Sequence, residues 1–400
     1  MNLCIFCDTE LTPETKPEHI LLNALGGRKT TRRAICSSHN NKFGATIDKA
    51  ITDQVAAFRN LLKLDSGTGK PPPLMRIENT RGERLILHPD GKPDLVQKPF
   101  VFTPRPEGGF DIEINARDEA ELTRIIPNVA AALGASESSV WDQLAQNGTG
   151  SWRSRRAGTV HHELALGGED SLRSICKAAF CLIAADVGTD SLRTPAFASA
   201  RDFVVSGGDE FNRERGSLDP RTLPVSDLLE ERFGPLFNLI YVRSDPAGRV
   251  VAHFTLYNLI AWRAVLAEAG GPTDLHLALA SNPLEPGQWS DRILPGAEVP
   301  FAWLDAPDRS NVFEATTARF TKALSLWQER GRSELTAHIV NRIFERHGIT
   351  DDQSPIDDPE LTQRIVAEIA DELAHHLVGL PHQRPMSPDD LNRLRGERKP

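Results

Sequence analysis

The sequence predicts an α+β fold in which a small ββα unit precedes a larger mixed α+β body with a helical C-terminus. Three observations lead there. Cys4-Ile5-Phe6-Cys7 and Cys36-Ser37-Ser38-His39 set two short-spaced ligand pairs near the N-terminus. Segments such as Arg84-Leu85-Ile86-Leu87 and Phe110-Asp111-Ile112-Glu113-Ile114 alternate as half-covered strands do. The last quarter instead repeats its apolar residues at helical steps.

The first unit should span residues 1–65. Arg28 to Ile35 is short, basic and β-branched at Thr30 and Thr31, and Gly26-Gly27 bounds it, which predicts a brief strand or hairpin. Phe43, Ile47, Ile51, Val55, Phe58 and Leu62 then recur at three and four residue steps and predict a helix with His39 or Asn40 in its first turn. Periodicity ends at Asp65-Ser66-Gly67-Thr68-Gly69-Lys70-Pro71-Pro72-Pro73, so 66–73 reads as a linker.

Residues 74–160 predict antiparallel strands, with turns at Pro89-Asp90-Gly91 and Glu107-Gly108-Gly109, followed by a helix from Asp118 to Leu133. Residues 161–380 form the expected regulatory or partner-binding α+β domain. Its strands are placed at His161–Leu166, Asn238–Val242, Val250–Leu256 and Leu275–Ala280. Its helices are placed at Ser171–Ala185, Val312–Gln328, Glu334–Arg346 and Asp358–Leu377. A polar, Pro-containing tail at 381–400 is expected to be mobile.

Composition narrows the function classes. With 40% hydrophobic and 25% charged residues in 400, the chain reads as soluble and globular, with two or three domains. No apolar run is long enough to span a membrane and no leader precedes the first unit, so a cytoplasmic protein without a membrane partner is expected. Three of the five cysteines lie in the first 36 residues, a clustering that favours metal ligation over a disulfide scaffold. Cys176 and Cys181 read as plain core. The net charge is −9, yet residues 1–65 carry nine Lys and Arg against seven Asp and Glu. A polyanion would therefore meet the N-terminal unit.

The chemistry concentrates in that unit. Cys4, Cys7, Cys36 and His39 fit C-x2-C and C-x2-H half-sites, and each two-residue spacer lets both ligands turn onto one ion. Thiolate with imidazole suits Zn2+, here a structural ion. His19 is then spare. An imidazole next to the Glu18 carboxylate, within a basic unit, can take a proton from water near neutral pH. Arg28, Lys29, Arg32, Arg33 and Lys42 are candidates to meet phosphates. His161-His162-Glu163 and His375-His376 read as structural.

Over about the first 60 residues the pattern resembles the HNH endonucleases. The matching residues are Cys4, Cys7, Glu18, His19, Ile20, Leu25, Gly26, Gly27, Cys36, Asn40, Asn41, Phe43 and Gly44. The resemblance implies a ββα-metal nuclease domain with His19 as general base. It implies that Glu18 and Asn40 face one catalytic Mg2+ or Mn2+ ion, with Asn41 competing for Asn40's place. The chain departs from the family at His39, where Cys is usual, and in having no middle Asn between Gly27 and Cys36, where Thr30 and Thr31 stand.

The expected function is thus metal-dependent endonucleolytic hydrolysis of DNA. Control by the C-terminal domain through an activating ligand or protein partner, a homodimer and a role in anti-phage defence accompany that expectation. The alternative is a catalytically silent, zinc-dependent nucleic-acid-binding module.

Overall fold

The computed structural model describes residues 2–91, 93–107, 109–154, 158–161, 165–306, 310–349 and 356–396. The chain opens with strands β1 (Glu18–His19) and β2 (Thr30–Thr31), antiparallel, with Glu18 opposite Thr31 and His19 opposite Thr30. Three short helices follow: α1 (Ser37–Ala45), α2 (Ile47–Gln54) and α3 (Ala56–Leu61). The periodicity predicts one helix here, but the backbone breaks at Thr46 (φ −123°, ψ −97°) and again at Val55. Gly44 and the β-branched Thr46 and Val55 have weak helix propensity, and burial of Phe43, Ile47, Ile51 and Phe58 decides the path.

Next come β3 (Leu74–Glu78), β4 (Arg84–Leu87) and β5 (Pro93–Leu95), a three-stranded sheet in that order, and the hairpin β6 (Phe100–Pro104) with β7 (Phe110–Ile114). Helices α4 (Glu119–Leu133) and α5 (Glu137–Asn147) precede β8 (Ser151–Ser154). The Asp118 carboxylate caps α4 by accepting from the Glu121 N–H, and Gly134 ends it in the left-handed region.

The chain continues through α6 (Glu169–Val187), α7 (Ala198–Ser206), α8 (Asp209–Glu214), β9 (Gly216–Leu218) and α9 (Ser226–Phe233). Strands β10 (Asn238–Ser244), β11 (Val250–Leu256), β12 (Ile260–Ala267), β13 (His276–Ser281) and β14 (Trp289–Ser290) follow, and then α10 (Phe301–Asp305). With β9 they make a six-stranded antiparallel sheet, ordered β14-β13-β10-β11-β12-β9. Both faces are covered: Ile240, Val242 and Phe254 share a core with α6, while Leu239, Tyr241 and Val251 pack with α9 and α10. Double burial explains why Ile260–Ala267, apolar but for Arg263, gave no alternation from which to predict β12.

The C-terminal elements are α11 (Val312–Arg346), α12 (Pro359–Val378), β15 (His382–Pro385) and α13 (Pro388–Gly396). Two helices were expected where α11 runs unbroken through Gly331. A single glycine costs about 1 kcal/mol in a helix, too little to stop one flanked by the helix-favouring Arg330 and Arg332. The expected mobile tail is folded as far as residue 396: His382–Pro385 pairs with β8, and Leu394 is buried against Ile126 and Trp141. The strand expected at His161–Leu166 includes His162, Glu163 and Leu164, which lie outside the described residues.

Contacts divide the chain into two units. One holds Met1–Leu74, Leu87–Lys92 and His162–Gln328; the other holds Met75–Ile86, Pro93–His161 and Glu329–Pro400. The N-terminal ββα unit therefore shares its core with residues between 165 and 328, where an independent module followed by a linker was expected. Cys4, Ile5, Ile20, Leu25, Phe43 and Ile47 are continuous with Ile175, Phe180 and Leu256.

Candidate metal centre and catalytic site

Cys4, Cys7, Cys36 and His39 bring one ligand atom each to within 4.8 Å of one another. The separations from His39 Nδ1 are 3.7 Å to Cys4 Sγ, 3.6 Å to Cys7 Sγ and 3.4 Å to Cys36 Sγ, and the Cys7 and Cys36 sulfurs are 3.8 Å apart. A tetrahedron with arms of about 2.3 Å has edges of about 3.8 Å, so the four atoms stand where Zn2+ would hold them. Burial pushes the Cys4 thiol up to about 12, so the ion's field is needed to ionise it. Cys7 is drawn down against its burial by the Thr9 hydroxyl and backbone N–H. His39 is lowered by burial and by Lys42, which keeps the imidazole in its ligating neutral form.

Local structure and the body both fix this knuckle. The Cys4 N–H donates to the Thr9 carbonyl at 2.9 Å and the Ile5 N–H to the Ala34 carbonyl at 3.0 Å, which ties the first half-site to the second. Phe6 stacks edge-on to Phe43 of α1 and to Phe180 of α6, with ring centroids 5.3 and 6.0 Å apart. Arg193, just past α6, donates to the carbonyls of Cys4 and Cys7 and pairs with Asp8.

His19 is half-buried and outside the ligand set. The side-chain amide of Asn23, in the turn Asn23–Leu25, faces its Nε2 at 3.4 Å, and Thr68 donates to the other end of that amide at 3.1 Å. Burial, and after it the Lys177 charge, lowers the His19 imidazole below its ordinary value. Asn40 lies in the first turn of α1, 9% exposed, and its Nδ2 donates to the Pro17 carbonyl at 3.2 Å. That bond leaves its Oδ1 open. Asn41 is exposed and accepts from Lys16 at 2.9 Å.

Glu18 points elsewhere. Its Oε1 accepts from Lys177 Nζ at 2.5 Å, and the same ammonium donates to Asp48 Oδ2 of α2 at 2.7 Å. Ser174, one turn back on α6, donates to Asp48 Oδ1 at 2.6 Å. Lys177 is wholly buried and Glu18 only 5% exposed. Burial raises the Glu18 carboxyl, with Lys177 working against it; for Lys177 burial pulls down but the two carboxylates prevail and raise it. Among the described residues the knuckle is the only His, Cys, Asp and Glu cluster that could hold an ion. Of the two side chains expected to face a second ion, Asn40 gives its Nδ2 to the Pro17 carbonyl and Glu18 gives one carboxylate oxygen to Lys177.

The five basic candidates divide. Arg28 donates to the Gly67 carbonyl at 2.7 Å, Arg32 to the Thr15 carbonyl at 2.5 Å, and Lys29 pairs with Asp291 at 2.6 Å. Arg33 and Lys42 are exposed. Such partly exposed pairs as Lys29–Asp291 are worth about 1 kcal/mol or less and exchange readily for phosphate.

Lys177, Asp48, Ser174, Asn23 and Arg193 were not singled out in the sequence. Lys177 had a signal: one lysine inside the apolar run Ile175-Cys176-Lys177-Ala178-Ala179-Phe180 must either leave the core or find carboxylates. Cys176 and Cys181 are both fully buried, with burial raising each thiol. No helix among the described residues is long and apolar enough to cross a membrane. No curated protein and no solved structure matches the chain. Residues 4–56 match the family model described as HNH endonuclease, so over that segment the chain has the domain that its motifs resemble.

Proposed function

We propose that the chain is an endonuclease that hydrolyses phosphodiester bonds in DNA, with His19 as general base. One observation carries the reading: the metal knuckle closes on four ligands without His19, leaving a half-buried imidazole whose neutral form is favoured, inside the segment that matches HNH endonucleases. A neutral imidazole takes a proton from water as the oxygen attacks phosphorus and the bond to the 3′ oxygen breaks. Asn23 holds the ring. Arg33 and Lys42, with Lys29 once released from Asp291, bind flanking phosphates. Cys4, Cys7, Cys36 and His39 would hold Zn2+, which would supply the folding energy that fixes the knuckle beside α1 and the hairpin.

Mg2+ or Mn2+ would supply charge stabilisation at the phosphate. Asn40 Oδ1 is the donor that fits it. Control through the body belongs to the same reading, because α6 touches both the hairpin and α2. The test is plasmid nicking by the full chain with Mg2+ or Mn2+, beside His19→Ala. Nicking that depends on His19 is expected. Retained DNA binding with no nicking under either ion would leave the silent binding module.

A further inference from the structure

We propose that Lys177 is a positioning residue for the His19 hairpin and that Glu18 is its counter-ion, not a ligand of the catalytic metal. The proposal rests on the nuclease reading for its consequence but on geometry for its substance. Strand side chains alternate between faces, so a Glu18 aimed into the core at Lys177 sets His19 on the opposite face. Glu18 is thereby committed to the α6 ammonium, while His19 makes no bond to it.

The hairpin itself is too short to hold that orientation. Two residues pair with two, flanked by one further bond from the Ile20 N–H to the Lys29 carbonyl at 3.0 Å. Lys177 supplies what the ladder lacks. One ammonium binds Glu18 of β1 and Asp48 of α2, and α2 follows directly on the helix that carries His39 and Asn40. A single buried charge on α6 thereby sets the hairpin against the helix pair, which is the relation a base and a phosphate-facing amide must keep. Ser174 fixes the Asp48 carboxylate so that the ammonium stays midway.

The test measures amide hydrogen exchange over residues 18–31, Mn2+ binding by electron paramagnetic resonance, and nicking kinetics in the zinc-loaded full chain. Lys177→Met should speed exchange in the hairpin about tenfold or more while β10–β12 amides keep their protection. It should lower kcat about tenfold or more with KM within about threefold. Glu18→Gln, which still accepts from Lys177, should bind Mn2+ within about threefold of the unsubstituted chain, whereas Glu18→Ala should loosen the hairpin as Lys177→Met does. Should Lys177→Met fail to fold, the two Glu18 variants decide alone. A loss of Mn2+ affinity of about tenfold or more in Glu18→Gln, with hairpin exchange unchanged, would make Glu18 a metal ligand and overturn the proposal. Unchanged hairpin exchange in Lys177→Met would overturn it as well. An absence of nicking by the unsubstituted chain would sink the nuclease reading alone, since exchange and Mn2+ binding report on the anchor without it.

Discussion

Arg193 donates to the carbonyl of Cys7 at 2.6 Å, and the same nitrogen reaches the carbonyl of Cys4. A residue of the body thus closes two backbone acceptors that the N-terminal loop cannot satisfy itself. Charge-assisted hydrogen bonds of this kind contribute about 1.5–3 kcal/mol, discounted here because Arg193 is partly exposed. Arg193→Ala should release zinc to a chelator faster and lower the thermal midpoint. A chromophoric zinc-release assay beside a melting curve checks both.

His19→Ala should cut nicking about 10²- to 10⁴-fold, the usual worth of a general base. Zinc content should stay at that of the unsubstituted chain, because His19 is not among the four ligands. Elemental analysis of both proteins separates lost chemistry from lost folding.

Asn23→Ala removes the amide that faces His19 Nε2. A drop in kcat of about 10-fold, with KM held, is the expected result, in line with other groups that orient a reactive side chain. An equal rise in KM would instead place Asn23 among the DNA contacts.

The acid limb of the rate profile follows from His19. Its base form is the neutral one, and protonation at low pH removes it. Burial and Lys177 both disfavour the imidazolium, so the folded value is lowered and the neutral form persists further into acid. The midpoint of kcat/KM against pH should therefore fall below that of a free imidazole. A midpoint at or above that of a free imidazole would remove His19 as the titrating base.

Gly27→Ala should be among the costliest single changes. A Cβ there would stand 1.8 Å from the Leu21 carbonyl oxygen, a backbone atom that cannot swing aside. A loss of more than about 3 kcal/mol is expected. Denaturant titration of the purified variant, if it folds at all, measures it.

The knuckle was legible in the sequence because each half-site is local: two ligands three residues apart announce themselves without the fold. The spare His19 followed by subtraction. The ion pair of Glu18 was not legible, because its partner Lys177 lies 159 residues away. The partner of His19 was sought between Gly27 and Cys36, where the family pattern sets an Asn; the chain instead brings Asn23 back from a turn four residues beyond the base. The same contrast runs through the body. α4 carries its own cap at Asp118 and was placed to within one residue, whereas β12 owes its form to neighbours on both faces and left no periodic trace.

The shared core has an evolutionary reading. Were the first 65 residues inherited as a cassette, Ile5, Phe6 and Ile20 would arrive at a new host with no α6 to cover them, and Glu18 and Asp48 would arrive without their cation. Recombination that separates residues 1–74 from 162–328 thus yields a broken half. Lineages of this chain should carry the two stretches together and tolerate exchange chiefly in what lies between.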